Sequence, residues 1–266
     1  MARAELTNIR SPRVKAARRL AKRAFRERDL AFLAEGPQAV REALRLPGVT
    51  VELYATADAE ARHPEIVAAA AAAGVPVHLA SGEVMAELAQ TVTPQGLLAV
   101  CRLVHVPLGE AVPGARLVAV LAHVRDPGNA GTVLRTADAA GADAVVFTDA
   151  SVDPYNGKCV RASAGSLFHL PVVTGVPVAQ AVRELKDAGL RVLAADGAGE
   201  RTLDDVDLSG PTAWVFGNEA WGLPKEVLEL ADEVVRVPIY GGAESLNLAT
   251  AAAVCLYASA RTQRQK

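Results

Sequence analysis

Between residues 116 and 261, short and almost continuously apolar runs alternate with segments of helical pattern, and this alternation leaves few folds open. Runs such as 116–122 (RLVAVLA) and 144–147 (AVVF) carry no polar face. Both sides of such a strand must be covered, as in a mostly parallel sheet flanked by helices. The pattern predicts strands at 116–122, 143–148, 170–174, 190–195, 212–216 and 233–237, and helices at 129–140, 157–166, 177–188, 224–231 and 246–261. In a sheet of this kind ligands bind where strand C-terminal ends meet helix N-termini.

A second alternation precedes it. Helices are expected at 11–28, 37–46, 64–73 and 82–88, with strands at 49–55, 75–79 and 97–104 and an apolar stub at 30–34. Ser11 can cap the first helix and Pro12 suits its first turn. The expected result is a small α/β sandwich. Pro107, Gly109, Pro113 and Gly114 mark a linker. The expected domains are therefore 1–106 and 116–266, joined by 107–115, and 266 residues suit two cores better than one.

Net charge is -2, but it is unevenly spread. Residues 1–30 hold ten Lys and Arg against three acids, a surplus of +7 that leaves the remainder at -9. Arg3, Arg10, Arg13, Lys15, Arg18, Arg19, Lys22, Arg23, Arg26 and Arg28 make up that surplus. A basic front end on an acidic body points to a polyanionic partner held through the N-terminus. Cys101, Cys159 and Cys255 are far apart and odd in number, which fits reduced thiols in a cytoplasmic protein rather than a disulfide framework. The five histidines form no i, i+4 pair and no HExxH, so no metal is expected. No secretory h-region follows the N-terminus, and the longest apolar stretch, 66–77, is too short to span a bilayer, so no membrane role is expected.

Three loops of the second domain are unusual. The first, 123–138, runs HVRDPGNAGTVLRTAD: Pro127 and Gly128 are expected to turn, Asn129 to cap, and Arg135 to follow within two helical turns. The second, 215–224, ends a strand at Gly217 and presents Asn218 and Glu219. The third, 237–250, passes through glycines into a helix expected to start at 245–247. No Gly-Lys-Ser/Thr step follows the first loop and no GxGxxG occurs, so a phosphate cradle or dinucleotide fingerprint is not supported.

Taken together, the loops resemble the SpoU (TrmH) family of the SPOUT superfamily. Its N-x-G-x-x-x-R-T-A motif is matched by Asn129, Gly131, Arg135, Thr136 and Ala137. Its G-N-E-x-x-G-L motif is matched by Gly217, Asn218, Glu219, Gly222 and Leu223. The third motif is matched by Val237-Pro238 and Ser245-Leu246-Asn247. Residues 161–166 (RASAGS) resemble a further family segment, and 1–106, with Gln95-Gly96, resemble an L30e-like substrate-binding domain.

The resemblance implies a parallel α/β SPOUT domain with a C-terminal trefoil knot, a homodimer, and S-adenosylmethionine as methyl donor. It implies backbone contacts to that cofactor at Gly217, Val237, Ile239 and Leu246, joined by Ala195. It implies methylation of an RNA ribose 2'-hydroxyl, with ribosomal RNA favoured over tRNA. The alternatives are a tRNA enzyme, a base-methylating SPOUT enzyme and an RNA-binding protein without turnover. Arg135 takes the family's base role, with Asn129, Glu219, Ser245 and Asn247 positioning it and the ribose. Deprotonating an arginine at pH 7 costs about 7–9 kcal/mol, at ~1.36 kcal/mol per pKa unit. A charged Arg135 that fixes phosphate and stabilises developing alkoxide is an equal alternative. Arg13, Lys15, Arg18, Arg19, Lys22 and Arg161 are the expected RNA contacts.

Overall fold

The computed structural model describes residues 4–265, so Arg3 of the basic run lies outside the described residues. The chain divides into two compact units: residues 1–104 with 155–168, and residues 105–154 with 169–266.

In the first unit, helices α1 (Pro12–Arg19) and α2 (Arg23–Asp29) lead into strand β1 (Ala31–Glu35). Then follow α3 (Pro37–Arg45), β2 (Thr50–Ala55), α4 (Ala57–Arg62), α5 (Pro64–Ala72), β3 (Val77–Leu79), α6 (Gly82–Leu88) and β4 (Leu97–Arg102). The sheet order is β1-β4-β2-β3, with β4 antiparallel to both neighbours and β2 parallel to β3. Val14, Ala17, Leu20, Val84, Met85 and Leu88 from α1 and α6 bury one face against Leu33, Tyr54, Leu98 and Val100.

The single helix expected over 11–28 is two helices. Ser11 caps α1, accepting from the Val14 amide, and Pro12 opens the first turn. The chain then breaks, and Arg26 turns inward to donate to the carbonyls of Leu20 and Ala21 at 2.9 and 2.8 Å. Those carbonyls end α1 without helical partners, so a buried guanidinium there satisfies them. One of the ten basic residues is thus structural. Helix α4 was not expected; the Thr56 hydroxyl caps it by accepting from the Ala59 amide.

Residues 155–168 were expected to belong wholly to the second domain, but they pack within the first unit. Tyr155 and Phe168 place their rings 4.7 and 6.0 Å from that of Phe32 on β1. The segment is helix α9 (Gly157–Ala162) followed by a 3-10 turn at Ser166–Phe168, shorter than the helix expected over 157–166.

The second unit opens where the linker was expected. Residues 108–111 form the short helix α7 (Leu108–Ala111), and Leu108, Ala111, Val112 and Ala115 are buried in the unit's core. Its further elements are β5 (Leu117–Leu121), α8 (Pro127–Ala140), β6 (Ala144–Thr148), β7 (Val172–Val176), α10 (Val178–Asp187), β8 (Arg191–Ala195), β9 (Arg201–Thr202), β10 (Thr212–Phe216), α11 (Lys225–Leu230), β11 (Glu233–Arg236) and α12 (Leu248–Arg264). Seven strands run parallel in the order β7-β6-β5-β10-β8-β11-β9.

Alternation along each strand sends side chains to opposite faces. Val118, Val120, Val192, Ala213 and Val215 pack with α7, α10 and α11. Leu121, Trp214 and Phe216 are buried on the face covered by α8 and α12, where Trp214 Nε1 donates to Ser259 Oγ at 2.9 Å. All three cysteines are buried. Burial pushes the thiols of Cys101 and Cys255 up to about 12. Among the described residues, no helix is long and apolar enough to cross a membrane.

Candidate active site

Strand register decides which loops meet. Phe216 of β10 lies level with Leu121 of β5 and with Ala195 of β8, and Ala195 is level with Val235 of β11. The segments that leave these strands, 122–126, 196–200, 217–223 and 237–247, therefore emerge from one edge of the sheet.

The first of them enters α8. Asp126 is the cap, accepting from the Asn129 amide at 2.8 Å, and Pro127 occupies the first helical position. The expected cap, Asn129, is instead inside the helix, and its freed side chain points to the other loops. Asn129 Nδ2 donates to Glu219 Oε1 at 3.3 Å, while its Oδ1 accepts from Asn247 Nδ2 at 3.1 Å. Glu219 also accepts from the amides of Arg125 and Asp126 at 3.3 and 3.1 Å. A chain Asn247–Asn129–Glu219 thus joins all three motifs. Asn247 also caps α12 through the Ala249 and Thr250 amides, so that helix begins at Leu248 rather than at 245–247.

The second loop is folded tightly. Asn218 and Gly222 exchange backbone hydrogen bonds at 2.8 and 2.9 Å. A Cβ on Gly217 would lie 2.4 Å from the Gly222 carbonyl carbon, so only glycine fits there. Asn218 is buried; it donates to the His123 carbonyl and accepts from the Ala220 amide, both at 2.8 Å. That bond steadies His123, which holds a left-handed φ of 61°.

These loops enclose a cleft of about 630 Å³. Ala195, Gly217, Val237, Ile239 and Leu246 all line it, as do Glu219 and Ser245. Asn129 and Asn247 join its wall through Glu219. Arg135 is exposed on α8; its side chain has no hydrogen bond or ion pair to another described residue and does not line the cleft. It lies six residues beyond Asn129, a rise of about 9 Å along the helix axis.

Sequence reading passed over several residues of the cleft. Asp196, directly after β8, lines it and accepts from the Leu223 amide at 3.4 Å and the Ala198 amide at 2.9 Å. Arg236 and Glu244 also line it; the Arg236 guanidinium is held by the Gly199 and Glu200 carbonyls at 2.8 and 3.2 Å. An acid immediately following a buried strand is the signal that marks Asp196. Nearby, Tyr240 donates to Asp204 at 3.3 Å, and that carboxylate raises the pKa of the tyrosine hydroxyl.

The expected RNA contacts fare unevenly. Arg161 does not line the cleft; it pairs with Glu35 at 3.1 Å, and the same carboxylate accepts from the Gln90 amide and the Thr91 hydroxyl. Arg13, Arg18 and Arg19 pair with Glu52, Glu87 and Asp29. Lys15 and Lys22 are exposed and have no ion-pair partner among the described residues.

Residues 116–257 match the model of the SpoU rRNA Methylase family, and residues 11–99 match that of the MRM3-like substrate binding domain. Over 254 residues the chain is 37% identical to the 23S rRNA (guanosine(2553)-2'-O)-methyltransferase RlmP of Bacillus subtilis (strain 168), an alignment covering 95% of this chain and 98% of that protein. The crystal structure of the AdoMet-bound rRNA methyltransferase from Sinorhizobium meliloti is similar with a TM-score of 0.85 at 32% identity, over 97% of each chain. The SpoU methyltransferase AviRb from Streptomyces viridochromogenes, in complex with AdoMet, gives 0.83 at 28% identity, over 96% of this chain and 100% of that one. This chain belongs to the SpoU rRNA methylase family.

Proposed function

We propose that the protein methylates a ribose 2'-hydroxyl of 23S ribosomal RNA with S-adenosylmethionine as donor. The observation that carries this reading is the convergence of the three motif loops on one cleft, with Asn247, Asn129 and Glu219 hydrogen-bonded in series. The relatives' names and their AdoMet-bound structures support the same substrate and donor.

The residues present fit the donor. A cleft of about 630 Å³ is in the range that holds a nucleoside-sized ligand. Its walls combine apolar side chains and strand-end backbone, at Ala195, Gly217, Val237, Ile239 and Leu246. Asp196, Glu219 and Glu244 line it against one arginine, Arg236, which suits a cationic sulfonium. When bound, the donor supplies an electrophilic methyl group whose bond to sulfur breaks as the ribose oxygen attacks. The protein must align that oxygen and stabilise it as its proton departs. Arg135 takes this role, as proton acceptor or as the charge that stabilises the developing alkoxide. Asn129, Glu219, Ser245 and Asn247 position Arg135 and the ribose.

In this reading the N-terminal domain, 1–106, selects the RNA, with Lys15 and Lys22, unpaired among the described residues, beside Arg13, Arg18 and Arg19. The paired Arg161 is retained as a candidate contact only if RNA displaces Glu35. The family's C-terminal trefoil knot, a homodimer and a cytoplasmic site of action complete the proposal. Support for the dimer comes from the exposed Val254 and Tyr257 on α12, beside a concavity lined by Ala139, Leu203, Val206 and Leu208.

Methyl transfer from labelled S-adenosylmethionine to 23S rRNA and, separately, to tRNA tests the reading. Label in an alkali-resistant dinucleotide of 23S rRNA is the expected result. Label on a base, or in tRNA alone, overturns the ribose or the substrate assignment. Donor binding with no label in either RNA points to a binding protein without turnover.

A further inference from the structure

We propose that Trp221 and Arg125 form a stacking platform for a nucleobase of the RNA substrate at the lip of the cofactor cleft, an assignment that rests on the methyltransferase reading above. The chain has two tryptophans. Trp214 is fully buried, but Trp221 is 54% exposed at the tip of the tight 217–223 loop. The Arg125 guanidinium lies over its ring, 5.2 Å from the centroid. Trp221 lines the cleft and Arg125 does not, which places the pair at the rim.

Both members of the stack are tied to the site. The Arg125 amide donates to Glu219, and Trp221 lies two residues beyond that carboxylate in the loop closed by Asn218 and Gly222. The Arg125 side chain has no acidic partner among the described residues, so its charge is free to meet a phosphate. An indole and a guanidinium in contact form a flat, cationic surface of the type on which unstacked RNA bases settle. The reaction calls for such a surface, because in-line attack by one 2'-oxygen requires that nucleotide to be held apart from its neighbours. The positive charge of Arg125 favours a polyanion over the cationic donor.

Fluorescence reads the platform directly, since Trp214 is shielded from solvent. A 23S rRNA transcript should quench the emission of the intact protein, whereas S-adenosylhomocysteine alone should leave it unchanged. Trp221→Phe, which keeps a ring but removes the fluorophore, should abolish the RNA-responsive signal. Trp221→Ala should raise KM for the transcript about 5- to 150-fold, the fold-change equivalent to loss of one base–aromatic stack. It should leave kcat at saturating RNA and the Kd for S-adenosylmethionine within about threefold, and Arg125→Ala should give a smaller rise in KM.

An unchanged KM in Trp221→Ala overturns the platform and leaves the enzyme reading intact. Loss of donor binding in that variant assigns the ring to the cofactor instead, and a changed sedimentation coefficient assigns it to a subunit contact; both overturn the proposal. If the intact protein methylates no RNA, the enzyme reading fails, and quenching by the transcript still decides whether the platform binds RNA.

Discussion

Glu219 accepts three hydrogen bonds from the segment that opens α8, two from backbone amides and one from Asn129. Only a carboxylate can do this, because every partner is an N–H donor. Glu219→Gln places an NH2 group against one of those donors. Hydrogen bonds to charged groups contribute about 1.5–3 kcal/mol each and an unmatched donor adds a penalty, although exposure at this position reduces both. The expected outcome is a tenfold or greater fall in kcat with a modest loss of thermal stability, read by single-turnover methylation and a thermal melt. Arg135 makes the opposite case. It has no partner to lose among the described residues, so Arg135→Ala should leave Tm and donor affinity unchanged while nearly abolishing methyl transfer. Near-normal single-turnover methylation in that variant would remove Arg135 from the chemistry in either role.

At the scale of elements, the loop 217–223 is the part of the site that tolerates least change. A Cβ at Gly217 meets backbone atoms of Gly222 and Leu223 at 2.4 to 2.7 Å, and backbone cannot yield as a side-chain tip can. Gly217→Ala should cost about 1–3 kcal/mol through overpacking. It should also weaken S-adenosylmethionine binding at least tenfold, since the displaced loop is one wall of the cleft. Gly210→Ala, with nothing within 4 Å, is the control, and calorimetry with both variants decides. The parallel sheet was legible in the sequence because strands buried on both faces are apolar nearly throughout, as at 117–121 and 144–147. The cleft-lining residues were legible only through the motif resemblance. What escaped depended on tertiary partners. The break between α1 and α2 needs Arg26 folded back on the Leu20 and Ala21 carbonyls, although its sequence context reads as one more surface cation. The shift of the α8 cap from Asn129 to Asp126 turns on which side chain the Glu219 loop claims. Proline and glycine at 107–114 suggested a linker, yet the apolar residues between them are buried in the core.

At the scale of the whole molecule, electrostatics and packing must be separated before RNA binding can be assigned to the N-terminal residues. Deleting residues 1–106 would do both at once, because it strips Phe32 from Tyr155 and Phe168 and leaves that segment without the unit it packs in. Charge reversal avoids this. Arg18 and Arg19 are poor choices, since a glutamate there would face Glu87 or Asp29 and cost stability of its own. Lys15 and Lys22 are exposed and unpaired among the described residues, so Lys15→Glu with Lys22→Glu changes the field and little else. Each phosphate contact contributes roughly 0.7–0.9 to the slope of log affinity against log salt concentration. The double variant should therefore bind a 23S rRNA transcript more weakly at low salt, with a slope shallower by about 1–2 units. Affinity for S-adenosylmethionine and the melting temperature should hold, because both residues lie in the first unit and the cleft is in the second. Filter binding across a salt series gives the slope. If it is unchanged while overall affinity is also unchanged, the basic N-terminus is a solvated face and RNA is held by the second unit alone.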